Sequence, residues 1–139
     1  MKIAILGTVH TKGLEFLKEN ELEIVEVTNF NNQNLQEELK FVDAILLRTS
    51  RLDQNVLEHC KNLKIISRHG VGYDNVDLDY LNKNKIALCI TSTSNAVSVA
   101  EHVMSFFLYL TKNLSLSDKL VKGGNFTQRS ELPNFFELF

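Results

Sequence analysis

The sequence predicts an α/β protein: a parallel five-stranded sheet flanked by helices, followed by a long apolar helix. Three observations carry that prediction. Short apolar, β-rich runs alternate with helical segments at intervals of about twenty residues, the rhythm of βαβ units and a parallel sheet. Several runs end in polar or glycine-bearing stretches, such as Gly7 after the first and Thr91 to Asn95 after the last. One stretch, Arg68-His69-Gly70-Val71-Gly72-Tyr73-Asp74-Asn75-Val76-Asp77, joins a strand end to a helix start through two glycines.

In chain order, Lys2 to Leu6 reads as a strand that stops at Gly7, and Lys12 to Asn20 as a helix with Leu14, Phe16 and Leu17 at helical spacing. Glu21 to Val27 alternates polar and apolar, which predicts an edge strand with one exposed face. In the polar loop Asn31 to Asn34, Asn34 is the expected cap of a short helix through Lys40. Phe41 to Leu47 is a continuous strand ending at Arg48, and Asp53 caps a helix over Gln54 to Cys60. The next strand covers Leu63 to Ser67, the next helix Leu78 to Lys83, and the last strand Ile86 to Ile90. Crossovers between parallel neighbours are expected to be right-handed.

Beyond Ile90 the pattern changes. Thr91 to Asn95 is a polar loop, and Ala96 opens a helix whose Val97, Val99, Val103, Met104, Phe106 and Leu110 cover more than one face. A helix apolar nearly all round is buried on several sides, so this one is expected to dock on a second domain or subunit. Lys119 to Lys122 closes a second helix, with Gly123-Gly124 as its stop signal, and from Asn125 the chain reads as loop. Three regions follow: an α/β domain over 1–95, interdomain or dimerisation helices over 96–124, and a linker over 125–139. The apolar ending Phe135 to Phe139 gives the chain the look of a cut product.

Composition bounds the function. With 139 residues, 44% hydrophobic and 23% charged, this is an ordinary globular chain, able to bury about two-thirds of its unfolded surface. A net charge of −2 without a basic cluster argues against nucleic acid. The apolar run Val103 to Leu110 is too short to span a bilayer, and because Met1 leads straight into a strand-like run no secretory leader is expected. Cys60 and Cys89 have neither metal-ligand nor disulfide spacing; they are expected in or near the core, in a reducing, cytoplasmic setting. No metal site is expected.

In an open α/β sheet, ligands gather beyond the carboxyl ends of the strands. Thr8 to His10, Arg48 to Ser50, Arg68 to Gly72 and Thr91 to Asn95 are predicted to meet there, a rim of guanidinium groups, hydroxyls and backbone amides with no acidic side chain before Asp74. Glycine at 70 and 72 frees the backbone for positive φ, so that the N–H groups of Gly70, Val71 and Gly72 can form a nest for an anion. A tight strand-to-helix turn is the blander reading of the same residues. Arg48 and Arg68 suit a carboxylate or phosphate, with surface ion pairing as their alternative. His10 and His69 are lesser rim candidates, and Asn95 is either a ligand contact or a helix cap. His102 and Glu101 are helix neighbours that point about 100° apart, so they do not form a catalytic pair.

The blocks R-H-G-V-G-Y-D-N-V-D at 68–77 and T-S-T-S-N-A-V-S-V-A-E-H-V at 91–103 together resemble the D-isomer-specific 2-hydroxyacid dehydrogenases. That family includes phosphoglycerate, glycerate and lactate dehydrogenases of the D series, and formate dehydrogenase. The resemblance spans essentially the whole chain, and it implies a flavodoxin-like substrate-binding domain. It also implies NAD as cofactor, a small anionic 2-hydroxy or 2-oxo acid as substrate, and a homodimer assembled through the helix at 96–112. Gly70, Val71 and Gly72 would hold the substrate carboxylate, Val71 would also lie beside the nicotinamide, and Asn95 would contact substrate. The first block leans toward phosphoglycerate dehydrogenase, the second toward formate dehydrogenase.

The family's catalytic Arg, Glu and His lie in a nucleotide-binding domain that begins after the position matching Phe139. A G-x-G-x-x-G fingerprint is missing from these residues, since Gly70 and Gly72 lead into Asp74-Asn75. This chain is therefore expected to be inactive alone. One rival is a signalling receiver domain, which needs paired acids after the first strand and an Asp at the end of the third. Those places hold Gly7-Thr8-Val9 and Leu47-Arg48, with Asp43 at the wrong end. Another is a non-catalytic metabolite-binding or dimerisation module.

Overall fold

Strands β1 (Lys2–Leu6), β2 (Glu23–Val27), β3 (Ala44–Leu47), β4 (Ile65–Arg68) and β5 (Ala87–Ile90) pair in parallel in the order β2-β1-β3-β4-β5. This is the flavodoxin-like order, and β2 lies at the edge as its alternation predicts. Parallel neighbours need crossovers, supplied here by α1 (Thr11–Glu19), α2 (Asn32–Glu38), α3 (Gln54–Leu57) and α4 (Leu78–Asn84). The computed structural model describes residues 1–132, without the side chains of Arg129 and Glu131, in two units: Met1–Ser94 and a second beginning at Asn95.

The core of the first unit lies on one face of the sheet. Leu6, Ile45, Leu47 and Ile66 from the strands meet Leu35, Leu39, Val56, Leu57 and Leu81 from α2, α3, α4 and their ends. Helix α1 contributes no buried residue. On the opposite face Ile3, Ile5 and Ala44 are buried, whereas Ser67, Ala87 and Cys89 are exposed. Cys89 thus departs from the core position expected of it: it alternates with Leu88, which packs on the core side. Cys60 is buried, and desolvation raises its thiol to about 11.

Several boundaries differ from the sequence reading, each for a local reason. The cap of α2 is Asn31, whose side-chain Oδ1 accepts from Asn34 N at 2.8 Å; Asn34 lies in the first turn and its Nδ2 donates back to Asn29 O. Strand β3 begins after Phe41 and Val42 because Val42 N turns back to Leu39 O, although Val42 is fully buried. Helix α3 ends at Leu57, and tighter i to i+3 bonds carry the chain on to Cys60. Asp53 caps α3 and Asp77 caps α4, at 3.3 and 3.0 Å.

Asp43 stands at the amino-terminal end of the sheet. It accepts from Lys2 N at 2.9 Å and pairs with Lys64 Nζ at 3.0 Å, and the Lys2 backbone bond followed by the Lys64 bond lowers its pKa.

The second unit carries α5 (Ala96–Thr111) and α6 (Leu114–Lys122), separated at Asn113, whose φ of 46° is left-handed. A 3-10 helix, Phe126–Glu131, replaces part of the expected loop; Pro133 and Phe135 to Phe139 lie outside the described residues. No residue of α5 is buried, and Val97, Phe106, Phe107 and Leu110 are all more than half exposed. No helix among the described residues is long and apolar enough to cross a membrane.

Candidate functional site

Because every pair is parallel, the ends of β1, β3, β4 and β5 open on the same edge of the sheet. Gly7 follows β1 with φ +113°, and a Cβ there would come within 2.8 Å of Arg48 Cβ. The glycine leaves the space into which Arg48 packs. Arg48 N donates to Leu6 O at 3.0 Å and its Nη1 to Thr8 O at 3.3 Å, so an exposed guanidinium is tethered at the rim.

The glycine stretch is fastened at both ends. At one end His69 N donates to Leu47 O at 2.8 Å, and Thr91 N donates to Gly70 O at 3.1 Å. At the other, Leu52 N donates to Asn75 O at 2.8 Å and Asn75 Nδ2 to Ser50 O at 2.7 Å. Between these anchors, the N–H groups of Val71 and Gly72 have no acceptor among the described residues, and both residues are exposed. Two unpartnered donors on a turn fastened at both ends are the kind of group that can receive an oxyanion.

Two details differ from the expected nest. Gly70 N donates to Arg68 O at 2.9 Å, so the seat offers two amides rather than three. Gly70 adopts φ +154°, whereas Gly72 has no positive φ, and a Cβ at 72 would meet Asp74 Oδ2 at an ordinary 3.5 Å. Nothing among the described residues demands glycine at 72.

Arg48 and residues 70–72 thus share one edge on adjacent strand ends. Asn95 belongs to the second unit; it stands at the N-cap position of α5 but its side chain makes no capping bond. His102 stacks edge-on with Phe106 at 4.3 Å. His10 is a helix cap: its Nδ1 accepts from Lys12 N at 3.2 Å at the start of α1. The sequence carried no signal for that role, since His is not among the favoured cap residues. His69 is exposed. A cavity of about 390 Å³ opens beside Gly7 and Thr8, over Ile5 and Val27, and does not include the 70–72 loop. The free donors of the 70–72 loop lie outside this cavity.

These residues do not fit the pyrophosphate of a dinucleotide. The helix after the glycine turn has its N-terminus filled by the Asp77 carboxylate, with Asp79 in its first turn. A phosphate there would face two like charges. Among the described residues no group of three or more His, Cys, Asp or Glu could hold a metal ion.

An open parallel sheet with an amide seat and a tethered arginine at its carboxyl edge defines an α/β domain suited to small anions. The family model for the D-isomer specific 2-hydroxyacid dehydrogenase catalytic domain matches residues 3–134. The chain belongs to that family. It is 28% identical over 130 residues to a D-3-phosphoglycerate dehydrogenase of Archaeoglobus fulgidus, covering 93% of this chain and 25% of that one. The crystal structure of D-lactate dehydrogenase from Aquifex aeolicus, complexed with NAD and lactic acid, matches with TM-score 0.77 and 29% identity, covering 96% of this chain and 40% of that one. A crystal structure of a Pyrococcus horikoshii OT3 protein shares the fold with TM-score 0.89 at 24% identity, over 99% of this chain and 43% of that one. The chain therefore spans less than half the length of each of these proteins.

Proposed function

We propose that this chain is the substrate-binding part of an NAD-dependent oxidoreductase acting on the CH–OH group of a D-2-hydroxy acid, phosphoglycerate dehydrogenase-like, and inactive alone. The observation that supports this best is the pair of unpartnered N–H groups at Val71 and Gly72 on the carboxyl edge of the sheet. In this reading they receive the substrate carboxylate, Arg48 adds a guanidinium, Asn95 contacts substrate, and Val71 also borders the nicotinamide. Anchoring both ends of the loop fixes the two donors before the ligand arrives, which lowers the ordering cost of binding.

The Arg that orients substrate and the His–Glu pair that moves the proton belong to a nucleotide-binding domain outside this chain. NAD is held mainly by that domain, which agrees with the misfit of the α4 N-terminus to phosphate. The assembly is a cytoplasmic homodimer in which α5 packs on a second domain or subunit. Relatives named as phosphoglycerate dehydrogenase and the structure holding lactic acid with NAD support an acid substrate.

The test is a titration of the purified chain with pyruvate as the 2-oxo acid, followed by amide NMR and by NADH absorbance. The expected result is movement of the Val71 and Gly72 resonances with no consumption of NADH. Sustained NADH oxidation would remove the claim of inactivity, and silent loop amides would remove the seat. A non-catalytic dimerisation module is the second reading, favoured by the exposed apolar residues of α5. A glycine fingerprint in the coding sequence after Phe139 decides between them.

A further inference from the structure

Arg68 closes β4 immediately before the glycine stretch, and it is half-buried. It folds back over the loop, where Nη1 donates to the carbonyl of His69, the next residue. A Cβ built on Gly70 would collide with that same Nη1 and with Cζ. The guanidinium therefore occupies the space a side chain at 70 would take. Its Nε is shielded from solvent and has no partner among the described residues, and Arg68 enters no salt bridge there. A shielded donor without an acceptor is costly, and such a group in a folded chain calls for a reason.

We infer that Arg68 is a positioning residue for the anion seat, acting through the His69 carbonyl and Gly70. The inference rests on the proposed carboxylate-binding role of the Val71 and Gly72 amides. Peptide 69–70 has its carbonyl claimed by the guanidinium, while Gly70 N is held by Arg68 O and Gly70 O by Thr91 N. With His69 O, Gly70 N and Gly70 O all engaged, the backbone that leads into Val71 is held, and the next two N–H groups are left without an acceptor among the described residues. Arginine suits this task because its planar, permanently charged fork can hold a carbonyl while remaining flat over a glycine. The placement of the arginine depends on the glycine, because a Cβ at 70 would take the space that the guanidinium fills.

The test compares the 139-residue chain with R68M, R68K and G70A, first without ligand and then titrated with pyruvate and, separately, inorganic phosphate. R68M is expected to shift the ligand-free Val71 and Gly72 amide resonances and speed their hydrogen exchange, and to weaken pyruvate binding about tenfold. That deficit should persist at high salt. G70A, which expels the guanidinium, should reproduce it, and R68K, which keeps a cationic donor, should recover part of it. If R68M leaves the ligand-free loop resonances in place and its deficit vanishes at high salt, Arg68 acts only as a charge and the inference fails. Should R68M not fold, R68K and G70A carry the comparison: unshifted loop resonances in both overturn it. Loop amides that ignore both anions in the unsubstituted chain would sink the seat instead, leaving the ligand-free comparison to decide the positioning role by itself.

Discussion

Gly70 and Gly72 differ in kind although the sequence writes them alike. At 70 the backbone takes a positive φ and the arginine fills the side-chain space; at 72 neither constraint applies. A methyl group at 70 is thus a folding problem and a methyl group at 72 a ligand problem. Gly70→Ala is expected to destabilise the chain by at least about 1 kcal/mol, because Ala is strained at this φ. Gly72→Ala should leave the melting temperature nearly unchanged while weakening pyruvate binding, since its Cβ meets nothing tighter than van der Waals contact until an anion approaches. Thermal melts and titrations of the two variants separate these effects. Equal loss of stability in both would contradict the assignment.

Among the elements, the strand starts are joined by one side chain. Asp43 accepts the Lys2 amide of β1 and pairs with Lys64 beside β4, so a single carboxylate braces three strands at the edge opposite the site. Its pKa is lowered from 3.8, first by the Lys2 backbone bond and then by Lys64. A lowered native pKa means that the unfolded chain takes up the proton first as the solution is acidified. The stability Asp43 confers is therefore complete above pH 3.8 and is lost as pH falls through the native value. Asp43→Asn should be less stable than the parent near neutral pH, with the gap closing in acid. A gap that stays constant into acid would assign the effect to packing rather than charge.

The same elements show what was legible. Strand identity and the edge place of β2 could be read because continuous apolar runs and the alternation in β2 report burial on two faces or one. Boundaries could not. Val42 is as buried as any strand residue yet lies outside β3, since burial and ladder pairing are separate constraints. Asn31 and Asn34 are chemically identical, and the cap is chosen by which one stands three residues before a free N–H.

At the scale of the whole molecule, the two units are unequally finished. The first has a buried apolar core on one side of its sheet, while α5 in the second exposes Val97, Val103, Met104, Phe106, Phe107 and Leu110 together. Apolar surface of that extent is unusual on a soluble monomer and is what the proposed docking of α5 on a second domain or subunit would cover. The purified chain is expected to bind a hydrophobic dye or to self-associate. Paired leucine-to-glutamate and phenylalanine-to-glutamate changes at Leu110 and Phe106 should abolish either behaviour without altering the first unit's amide spectrum. A dye-silent monomer by analytical ultracentrifugation would remove the need for a partner.

By itself the sequence determined the alternation of strands and helices, the glycine turn between β4 and α4 and the family to which these blocks belong, because each is written in local periodicity or in contiguous residues. Only the tertiary structure decided which amides remain free, that Arg68 lies over Gly70 and that His10 is spent on a cap. Those outcomes depend on where neighbouring strand ends place their carbonyls, and Leu47 O and Thr91 N reach the loop from positions more than twenty residues away in the chain.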